Sequence, residues 1–468
     1  MYIKQLYTNC LSEAAYYVES DGEAAIIDPL RDIDDYTSLA AERNATIKYI
    51  FETHFHADFV SGHIDLSQAT GAPIIYGPGT VTNYDVVVAT DGQEFKLGAL
   101  SFVALHTPGH TLESTCWLLR DEEKKDHAVF TGDTLFIGDV GRPDLSSGNL
   151  SSQELAGMLY DSLQEKILPL ADNVLVYPAH GAGSSCGKNL GPETYSSIGE
   201  QKQNNYALQP QSKEEFVAQV IEGLNEAPVY FEINARLNKE GYAALEQVKE
   251  KGLQPLTVAA FKKKMLQDDA ILLDTRHSTV FNHGFVPGSV SIGLDGRFAE
   301  WAGSLLPFNE TILLICEPGK EEESVLRLAR VGFDKMEGYL KGGFEAWKKA
   351  GEEVDIIIEV EADELAMDLP FDDKLVVVDV RNETEFASGH VAGAVNLPLK
   401  DMNDPGRIAM LPENGNLYVH CATGYRSVIA SSMLRRQGLY NLRNVQGGWN
   451  AIREQKGIEV EKEKSVLN

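Results

Sequence analysis

Residues 272–276 read LLDTR, and residues 377–381 read VVDVR. Three further pairs share this displacement of 105 residues: Phe281 and Phe386, Cys316 and Cys421, and Gly342-Gly343 and Gly447-Gly448. Because separated motifs keep one register, the C-terminal half consists of two tandem copies of one domain. In each copy two apolar strand-like runs are followed by an amphipathic helix, a pattern that predicts a parallel α/β sheet.

The repeat also predicts the domain boundaries. Its copies span residues 257–355 and 358–463, which leaves residues 1–255 as an N-terminal domain. This division agrees with the chain length of 468 residues, at about 150 residues per domain. Short β-like runs in the N-terminal domain end in loops that carry His, Asp or Gly. Residues 190–255 are mainly helical in pattern and are expected to pack back on that domain.

Composition excludes several classes of protein. The net charge of −29 argues against nucleic acid or an anionic membrane as the main partner, since phosphate groups are bound by clustered positive charge. Five scattered cysteines do not form a disulfide framework. The first twenty residues lack a signal-peptide pattern, and no apolar run reaches the roughly 20 residues that span a bilayer. We therefore expect a soluble, cytoplasmic protein.

Four loops of the N-terminal domain carry candidate metal ligands, each directly after a strand-like run. They are His54-Phe55-His56-Ala57-Asp58 after IKYIFET, His110 in TPGH, Asp133 in TGD after HAVF, and His180 after VLVYPA. Loops at strand ends in this order can share one coordination site. Imidazole together with carboxylate indicates Fe, Zn or Mn and disfavours Ca or Mg.

The motifs HxHxD, HTPGHT, TGD and YPAHG resemble the metallo-β-lactamase superfamily over the first ~250 residues. The resemblance implies an αββα sandwich. Phe59 stands where two-metal members have a sixth motif residue, histidine, so a second-site ligand is lost. Among single-metal members are the persulfide dioxygenases. By this resemblance His54, His110 and Asp133 bind one Fe(II) per chain, leaving positions for O₂ and a thiolate-like substrate. A zinc glyoxalase-type thioester hydrolase is the alternative.

The same resemblance assigns supporting roles to other polar residues. His56, Asp58 and His180 would orient the ligands or take up protons. Cys186 follows the His180 loop closely in sequence, so it either handles sulfur near the metal or is an inert packed thiol.

Arg142 lies in the segment GRPD, which resembles the GRxD segment of the superfamily. It is a candidate for binding a substrate carboxylate. The alternative is a salt bridge within the domain, to Asp144 or a neighbour.

The second candidate site is the loop CATGYRS at residues 421–427, between a strand-like run and a helix. Backbone N–H groups and the positive end of the helix dipole favour the thiolate of Cys421. Arg426 adds a positive charge, and Ser427 is a plausible cap for the helix. Such a loop would also stabilise a persulfide anion on the cysteine.

The pattern CxxGxRS, with VVDVR, FxxGHVAGAVN and QGGWNA, resembles rhodanese sulfurtransferases over the last ~105 residues. Asp379 and Arg381 are expected to fix the fold around the loop. The resemblance makes Cys421 and Arg426 catalytic and forms the persulfide-binding loop from these residues: Ala422, Thr423, Gly424, Tyr425 and Ser427.

The first copy departs from the rhodanese pattern. Its loop, CEPGKEEES from Cys316 to Ser324, keeps the cysteine but loses the arginine. Three consecutive glutamates would raise the thiol pKa and repel sulfur anions. We interpret this copy as a degenerate rhodanese with a scaffolding role, residual activity at Cys316 being the alternative.

The whole chain resembles persulfide dioxygenase–sulfurtransferase fusions. The resemblance implies oxidation of a low-molecular-weight thiol persulfide by O₂ to sulfite, then formation of thiosulfate through Cys421, as in sulfide detoxification. The partners would be these small molecules, and a homo-oligomer, dimer or tetramer, is possible. Two other classes remain: a zinc hydrolase fused to rhodanese modules, and a non-catalytic sulfur carrier or sensor that depends on Cys421 and Cys186.

Overall fold

The computed structural model describes residues 1–145, 150–224, 226–267, 269–412 and 414–463. The chain divides into two compact units. The N-terminal unit comprises Met1–Gln247 and Leu326–Asp334. The C-terminal unit comprises Val248–Val325 and the chain from Lys335 onward. The second unit thus holds both copies of the repeat, except for one segment of the first copy that belongs to the N-terminal unit.

The N-terminal unit begins with a six-stranded sheet whose strands follow chain order. Its elements are β1 (Tyr2–Thr8), β2 (Glu13–Ser20), β3 (Glu23–Ile27), α1 (Asp34–Glu42), β4 (Thr46–Phe51), α2 (His63–Thr70), β5 (Ile74–Tyr76) and β6 (Val87–Val88). The strands β1, β2 and β3 pair antiparallel, and β3 to β6 pair parallel.

A second six-stranded sheet has the order β12-β11-β10-β9-β8-β7. Its strands are β7 (Glu94–Leu97), β8 (Leu100–His106), β9 (Thr115–Arg120), β10 (Asp126–Gly132), β11 (Leu175–Pro178) and β12 (Ser196–Ser197). The helices of this region are α3 (Ser152–Ser162) with a π-helical turn (Leu163–Ile167), α4 (Ile198–Asn204), a 3-10 turn (Tyr206–Leu208), α5 (Lys213–Ile221), α6 (Tyr230–Glu240) and α7 (Leu245–Gly252).

The two sheets pack face to face with helices on their outer faces. Along β2, Tyr16 points into the core between the sheets and Tyr17 into the core under α1 and α2, as the two-residue period of a strand requires. Phe51 and Trp117, from opposite sheets, meet in the inner core with ring centroids 4.5 Å apart. The architecture is the αββα sandwich expected from the sequence.

The first copy of the repeat forms a five-stranded sheet of order β13-β17-β16-β14-β15. Its elements are β13 (Pro255–Leu256), α8 (Val258–Gln267), β14 (Ile271–Asp274), α9 (Ser278–Asn282), β15 (Val290–Ser291), α10 (Phe298–Leu305), β16 (Ile312–Ile315), α11 (Glu321–Arg330), β17 (Met336–Leu340) and α12 (Gly343–Lys349).

The second copy repeats this topology in the order β18-β23-β22-β19-β21. Its elements are β18 (Ile358–Val360), α13 (Ala362–Asp368), β19 (Leu375–Asp379), α14 (Glu383–Ser388), β20 (His390–Val391), β21 (Val395–Asn396), a 3-10 turn (Leu399–Asp401), α15 (Pro405–Ile408), β22 (Asn416–His420), α16 (Tyr425–Arg436), β23 (Leu442–Val445), α17 (Gly448–Ile452) and β24 (Val460–Glu461).

The described strand pairs within each five-stranded sheet are parallel, which confirms the predicted fold. Cys316 and Cys421 each follow the central strand of their sheet, β16 and β22. The two copies also contact each other through a small apolar cluster of Phe281, Phe285, Ile357 and Val428. Among the described helices, none has the length and apolar character needed to cross a bilayer.

Candidate metal centre and cysteine loop

The four predicted metal-ligand loops meet at one edge of the αββα sandwich. They follow the ends of β4, β8, β10 and β11, as the sequence suggested. Asp133 Oδ2 lies 3.8 Å from His54 Nε2 and 3.4 Å from His110 Nε2, and all three side chains are buried. The predicted triad is therefore assembled in the fold.

Hydrogen bonds fix which ring nitrogen of each histidine faces Asp133. The Thr53 hydroxyl donates to Asp28, so its 3.0 Å contact with His54 Nδ1 has the imidazole as donor. The carbonyl oxygen of Arg142 accepts from His110 Nδ1 over 2.8 Å. Both histidines thus use Nδ1 as the hydrogen-bond donor and turn Nε2 toward Asp133, the arrangement in which Nε2 is the atom available to bind a metal.

The electrostatics of this triad also suit a cation. Burial, with the neighbouring imidazoles of His56, His110 and His180, holds the pKa of His54 well below its usual range, so the ring stays neutral. Both oxygens of buried Asp133 lack a hydrogen-bond partner among the described residues. An unpaired buried carboxylate is costly, and a bound cation would offset that cost. The residues present therefore fit a metal ion.

A second group of possible ligands lies beside the triad. His56, Asp58 and His180 place their ligand atoms within 4.8 Å of one another, all buried. His180 Nε2 lies 3.5 Å from both Asp58 Oδ2 and Asp133 Oδ1. The ring of Phe59 stacks on His56 with centroids 4.3 Å apart. Loss of a histidine at position 59 therefore leaves three potential ligands in place, a feature that the sequence argument for one metal did not anticipate.

Cys186 lies close to the triad. Its ligand atom groups with those of Asp133 and His180 within 4.8 Å. Burial, together with the negative charges of Asp58 and Asp133, raises the pKa of this thiol well above its usual value. In the absence of a cation the group is a neutral thiol, and a bound cation would favour the thiolate. A role in handling sulfur at this position stays a prediction.

Arg142 forms a salt bridge with Asp144, which was the alternative to binding a substrate carboxylate. Its guanidinium donates to both carboxylate oxygens of Asp144, over 2.7 and 2.8 Å, and to the carbonyl of Ser185. Its main chain binds Cys186 O through N–H and His110 Nδ1 through C=O. Arg142 therefore holds His110 in place, and binding of a substrate carboxylate stays a prediction.

Asn238 on α6 was not found by sequence reasoning. This fully buried amide donates to the carbonyls of His56 and Phe59, each over 2.8 Å, and accepts from the N–H of Ser61 over 2.9 Å. Asn238 thus holds the backbone of residues 54–61, which we call the metal loop, at three points. A signal was present: Tyr230, Asn234 and Asn238 recur every four residues, which places two asparagines on the buried face of a helix.

The predicted persulfide-binding loop, residues 421–427, follows β22, and we call it the Cys421 cradle. The N–H of Gly424 donates to the Cys421 sulfur over 3.1 Å. Gly424 precedes α16 with φ +119°, a backbone conformation that L side chains rarely adopt. The described backbone of Ala422 and Thr423 completes the turn between strand and helix. The cysteine therefore lies at a helix N-terminus, where a thiolate is stabilised.

Three side chains of this loop have partners that the sequence did not predict. The guanidinium of Arg426 is bound by both carboxylate oxygens of Glu385, over 2.7 and 2.8 Å, so its charge is paired. Ser427 does not cap α16, because its hydroxyl donates to Asn444 Oδ1 and to the Gly424 carbonyl. The Tyr425 hydroxyl donates to Gly293 O of the first copy.

Asp379 and Arg381 have the structural role expected of them. They form a buried ion pair, and Arg381 also donates to the carbonyl of Gly389.

In the equivalent loop of the first copy, the glycine N–H binds a glutamate carboxylate and not the cysteine sulfur. The N–H of Gly319 donates to the Glu321 carboxylate over 2.7 Å, and Cys316 Sγ instead contacts Ser324 Oγ at 3.4 Å. Burial is the main factor that raises the pKa of Cys316 to about 11, with smaller increases from Asp274 and Glu321. Val280 stands at the position equivalent to Glu385, so both members of the Arg426–Glu385 pair are absent.

Fold and sites together define a metal-binding αββα domain joined to a pair of cysteine-loop α/β domains. Residues 8–180 match the metallo-beta-lactamase superfamily, and residues 257–350 and 361–455 each match the rhodanese-like domain. The chain belongs to the metallo-beta-lactamase superfamily and carries two tandem rhodanese-like domains.

Named relatives support this assignment. The hydroxyacylglutathione hydrolase of Francisella tularensis subsp. novicida is 31% identical over 185 residues, 38% of this chain and 68% of that protein. The mitochondrial hydroxyacylglutathione hydrolase of Saccharomyces cerevisiae is 27% identical over 214 residues, 43% of this chain and 74% of that protein. A crystal structure of a metallo-beta-lactamase from Staphylococcus aureus subsp. aureus COL aligns with a TM-score of 0.66 and 29% identity, covering 73% of this chain and 99% of that one.

Proposed function

We propose that this protein is a persulfide dioxygenase joined to a sulfurtransferase. The first reaction converts a thiol persulfide, O₂ and water into the thiol, sulfite and two protons. The observation that carries the proposal is the pair of imidazoles, His54 and His110, whose Nε2 atoms face the Asp133 carboxylate, in a chain that also holds a cysteine loop with an N–H aimed at the sulfur. Two histidines and one carboxylate are the ligand set of non-haem Fe(II) oxygenases.

In the first reaction, metal binding, orientation of the imidazoles and uptake of protons fall to different residues. His54, His110 and Asp133 would hold one Fe(II), which when bound supplies O₂ activation and attraction for the persulfide sulfur. Thr53 and the Arg142 carbonyl orient the two imidazoles. Asp58 and His180, adjacent to Asp133, take up protons released by the reaction.

The second reaction takes place on Cys421. Its thiolate attacks the outer sulfur of a persulfide, the S–S bond of the donor breaks, and the proton leaves with the donor thiol. Sulfite then attacks the outer sulfur on Cys421, which releases thiosulfate and regenerates the thiolate. The N–H of Gly424 stabilises the anionic sulfur in both steps.

The partners are small molecules. All five cysteines are free, which fits a reducing cytoplasm, and a dimer or tetramer stays a prediction.

Metal analysis and oxygen uptake test the first reaction. Protein purified without oxygen is expected to contain one iron per chain and to consume O₂ when glutathione persulfide is added. His110→Ala should lose the metal and reduce oxygen uptake by more than the roughly 10–100-fold typical of losing an outer partner. His127→Ala, on β10 of the same sheet, is the control. Iron-loaded protein that consumes no O₂ with persulfide would contradict the proposal.

A zinc thioester hydrolase is the second candidate. Two observations favour it: the hydroxyacylglutathione hydrolases among the relatives, and the second ligand group of His56, Asp58 and His180. Two zinc ions per chain, with cleavage of a hydroxyacylglutathione thioester and no oxygen uptake, would support this reading. Replacement of Asp58 by Asn would then lower the metal content from two ions to one.

A further inference from the structure

The segment Leu326–Asp334 belongs to the N-terminal unit although it lies inside the first rhodanese-like match. It contains the last turn of α11 and the turn that follows it. The equivalent part of the second copy, at the end of α16, stays within its own unit. We call Leu326–Asp334 the brace segment.

Arg31 joins the brace segment to the αββα domain. Its side chain has no exposed surface, and its guanidinium donates to both Asp334 oxygens and to the Ala329 carbonyl over 2.9 Å. It also donates to Ala243 O and lies 4.9 Å from the ring of Tyr242. Both terminal nitrogens of this buried guanidinium are paired, while its Nε has no hydrogen-bond partner among the described residues, so loss of the Asp334 charge would leave a buried cation poorly compensated.

The brace segment also binds the end of the metal loop directly. The N–H of Val60 donates to the Arg330 carbonyl over 2.7 Å, and Val60 follows Phe59 at the end of HFHADF. The Arg330 side chain forms a bidentate ion pair with Asp32, over 2.8 and 2.6 Å. The loop that carries His54, His56 and Asp58 is thus tied to the brace segment just past its last polar residue.

The segment that contains Arg31, residues 29–31, packs closely against the end of this loop, residues 60–62. The N–H of Gly62 donates to Pro29 O over 2.6 Å, and a Cβ at Gly62 would lie 2.0 Å from Leu30 O. The Tyr242 hydroxyl donates to Ser61 O. Residues 29–31 and 60–62 are therefore in direct contact, and the Arg31–Asp334 pair links this contact to the brace segment.

We propose that the brace segment is a positioning element for the metal loop, and that this is a function of the first rhodanese-like copy, whose cysteine loop has lost its anion cradle. The proposal rests on the metal-binding part of the proposed function and is independent of which metal or reaction the centre supports. It assigns positioning roles to Arg31 and Asp334, neither of which is a candidate ligand.

Hydrogen exchange of the metal-free protein provides the first test. Asp334→Asn leaves the Arg31 guanidinium without its countercharge, so amides of residues 54–61 are expected to exchange at least about 10-fold faster, as local opening becomes easier. Asp126→Asn, which breaks the half-exposed Arg120–Asp126 pair of the same unit, is the matched control and should leave the loop unchanged. Sulfur transfer by Cys421 should be normal in both variants, which verifies that the rest of the chain is folded.

The metal-loaded protein provides the second test. With Co(II) as the probe, Asp334→Asn should release the metal to a chelator about 10-fold faster, the lower end of the usual effect of outer partners, and should shift the cobalt absorption bands. Arg31→Lys keeps the charge but loses the planar bidentate geometry, and should release cobalt at an intermediate rate. Loop exchange and cobalt release that match Asp126→Asn in both variants would overturn the positioning role. Absence of oxygen uptake in every variant, with the loop effects intact, would count only against the proposed reaction.

Discussion

At the scale of single residues, the two cysteines show how a few side chains separate an anion site from an inert thiol. Cys421 and Cys316 follow equivalent strands, and each is followed by a loop glycine with a positive φ, Gly424 and Gly319. In the second copy the glycine N–H binds sulfur, whereas in the first it binds a glutamate carboxylate. The competing carboxylate therefore removes the donor that a sulfur anion would need.

This difference predicts distinct behaviour of the two thiols. Cys421→Ser should abolish thiosulfate formation, and Cys316→Ser should leave it unchanged. Since the pKa of Cys316 is about 11, its thiolate at pH 8 is about one part in a thousand, and its rate of alkylation should rise about tenfold per pH unit up to that pKa. Peptide mass spectrometry after iodoacetamide treatment measures each cysteine separately. Rapid alkylation of Cys316 at pH 8 would contradict the prediction.

At the scale of elements, the metal loop depends on a helix distant in sequence. Asn238 on α6 satisfies three backbone groups of the loop at once, from His56 to Ser61. A loop buried between a sheet edge and a helix cannot bind water at these groups, so the amide replaces the solvent. Asn234, one turn earlier, is also buried but has no hydrogen-bond partner among the described residues.

The two asparagines form a matched pair for mutation. Asn238→Leu leaves three buried backbone groups unpaired, at about 1–3 kcal/mol each, so the free energy of unfolding should fall by at least about 3 kcal/mol. Asn234→Leu removes a buried amide that lacks a partner and should be neutral or stabilising. Calorimetric unfolding of the two variants measures the difference. Equal destabilisation by both would show that Asn238 acts through side-chain volume alone.

At the scale of the whole molecule, the chain carries two separate chemical sites. The metal centre is built entirely from the N-terminal unit, and the Cys421 cradle entirely from the C-terminal one. No residue is shared between the described parts of the two sites. In the proposed function, fusion would raise the local concentration of sulfite or persulfide near Cys421 without any shared residue.

If the protein has the two proposed activities, they should therefore be separable by mutation. Cys421→Ser should stop thiosulfate production while oxygen uptake with persulfide continues at the rate of the unaltered protein. His110→Ala should stop oxygen uptake while transfer from added persulfide to added sulfite continues. An oxygen electrode and a thiosulfate assay on the same samples measure both, with Cys316→Ser as the control. Loss of both activities from Cys421→Ser alone would refute the two-site description.

The sequence predicted what depends on local order and left open what depends on tertiary neighbours. The metal-ligand loops were predictable because each follows an apolar run, and the ends of these strands, one from the first sheet and three from the second, lie together at one edge of the sandwich. Their candidate ligands are His54, His110, Asp133 and His180. Ion-pair partners were harder. Arg142 has Asp144 two residues away, but Arg426 pairs with Glu385, 41 residues distant, and nothing local selects that carboxylate. Asn238 lies 182 residues from His56, so only its helix face was visible in the sequence.

A glycine with a positive φ packs against the carbonyl oxygen of each loop cysteine. Gly448 and Gly343 have φ of +54° and +60°, and a Cβ on either would lie 2.3 Å from Cys421 O or 2.7 Å from Cys316 O. The close approach persists where the cradle chemistry is gone, so it serves the fold of the copy. The first copy can therefore serve as an internal control for substitutions in the second copy. Gly343→Ala measures how much a Cβ at this position lowers the free energy of unfolding. Any larger effect of Gly448→Ala on sulfur transfer then reports a disturbance of the Cys421 site itself.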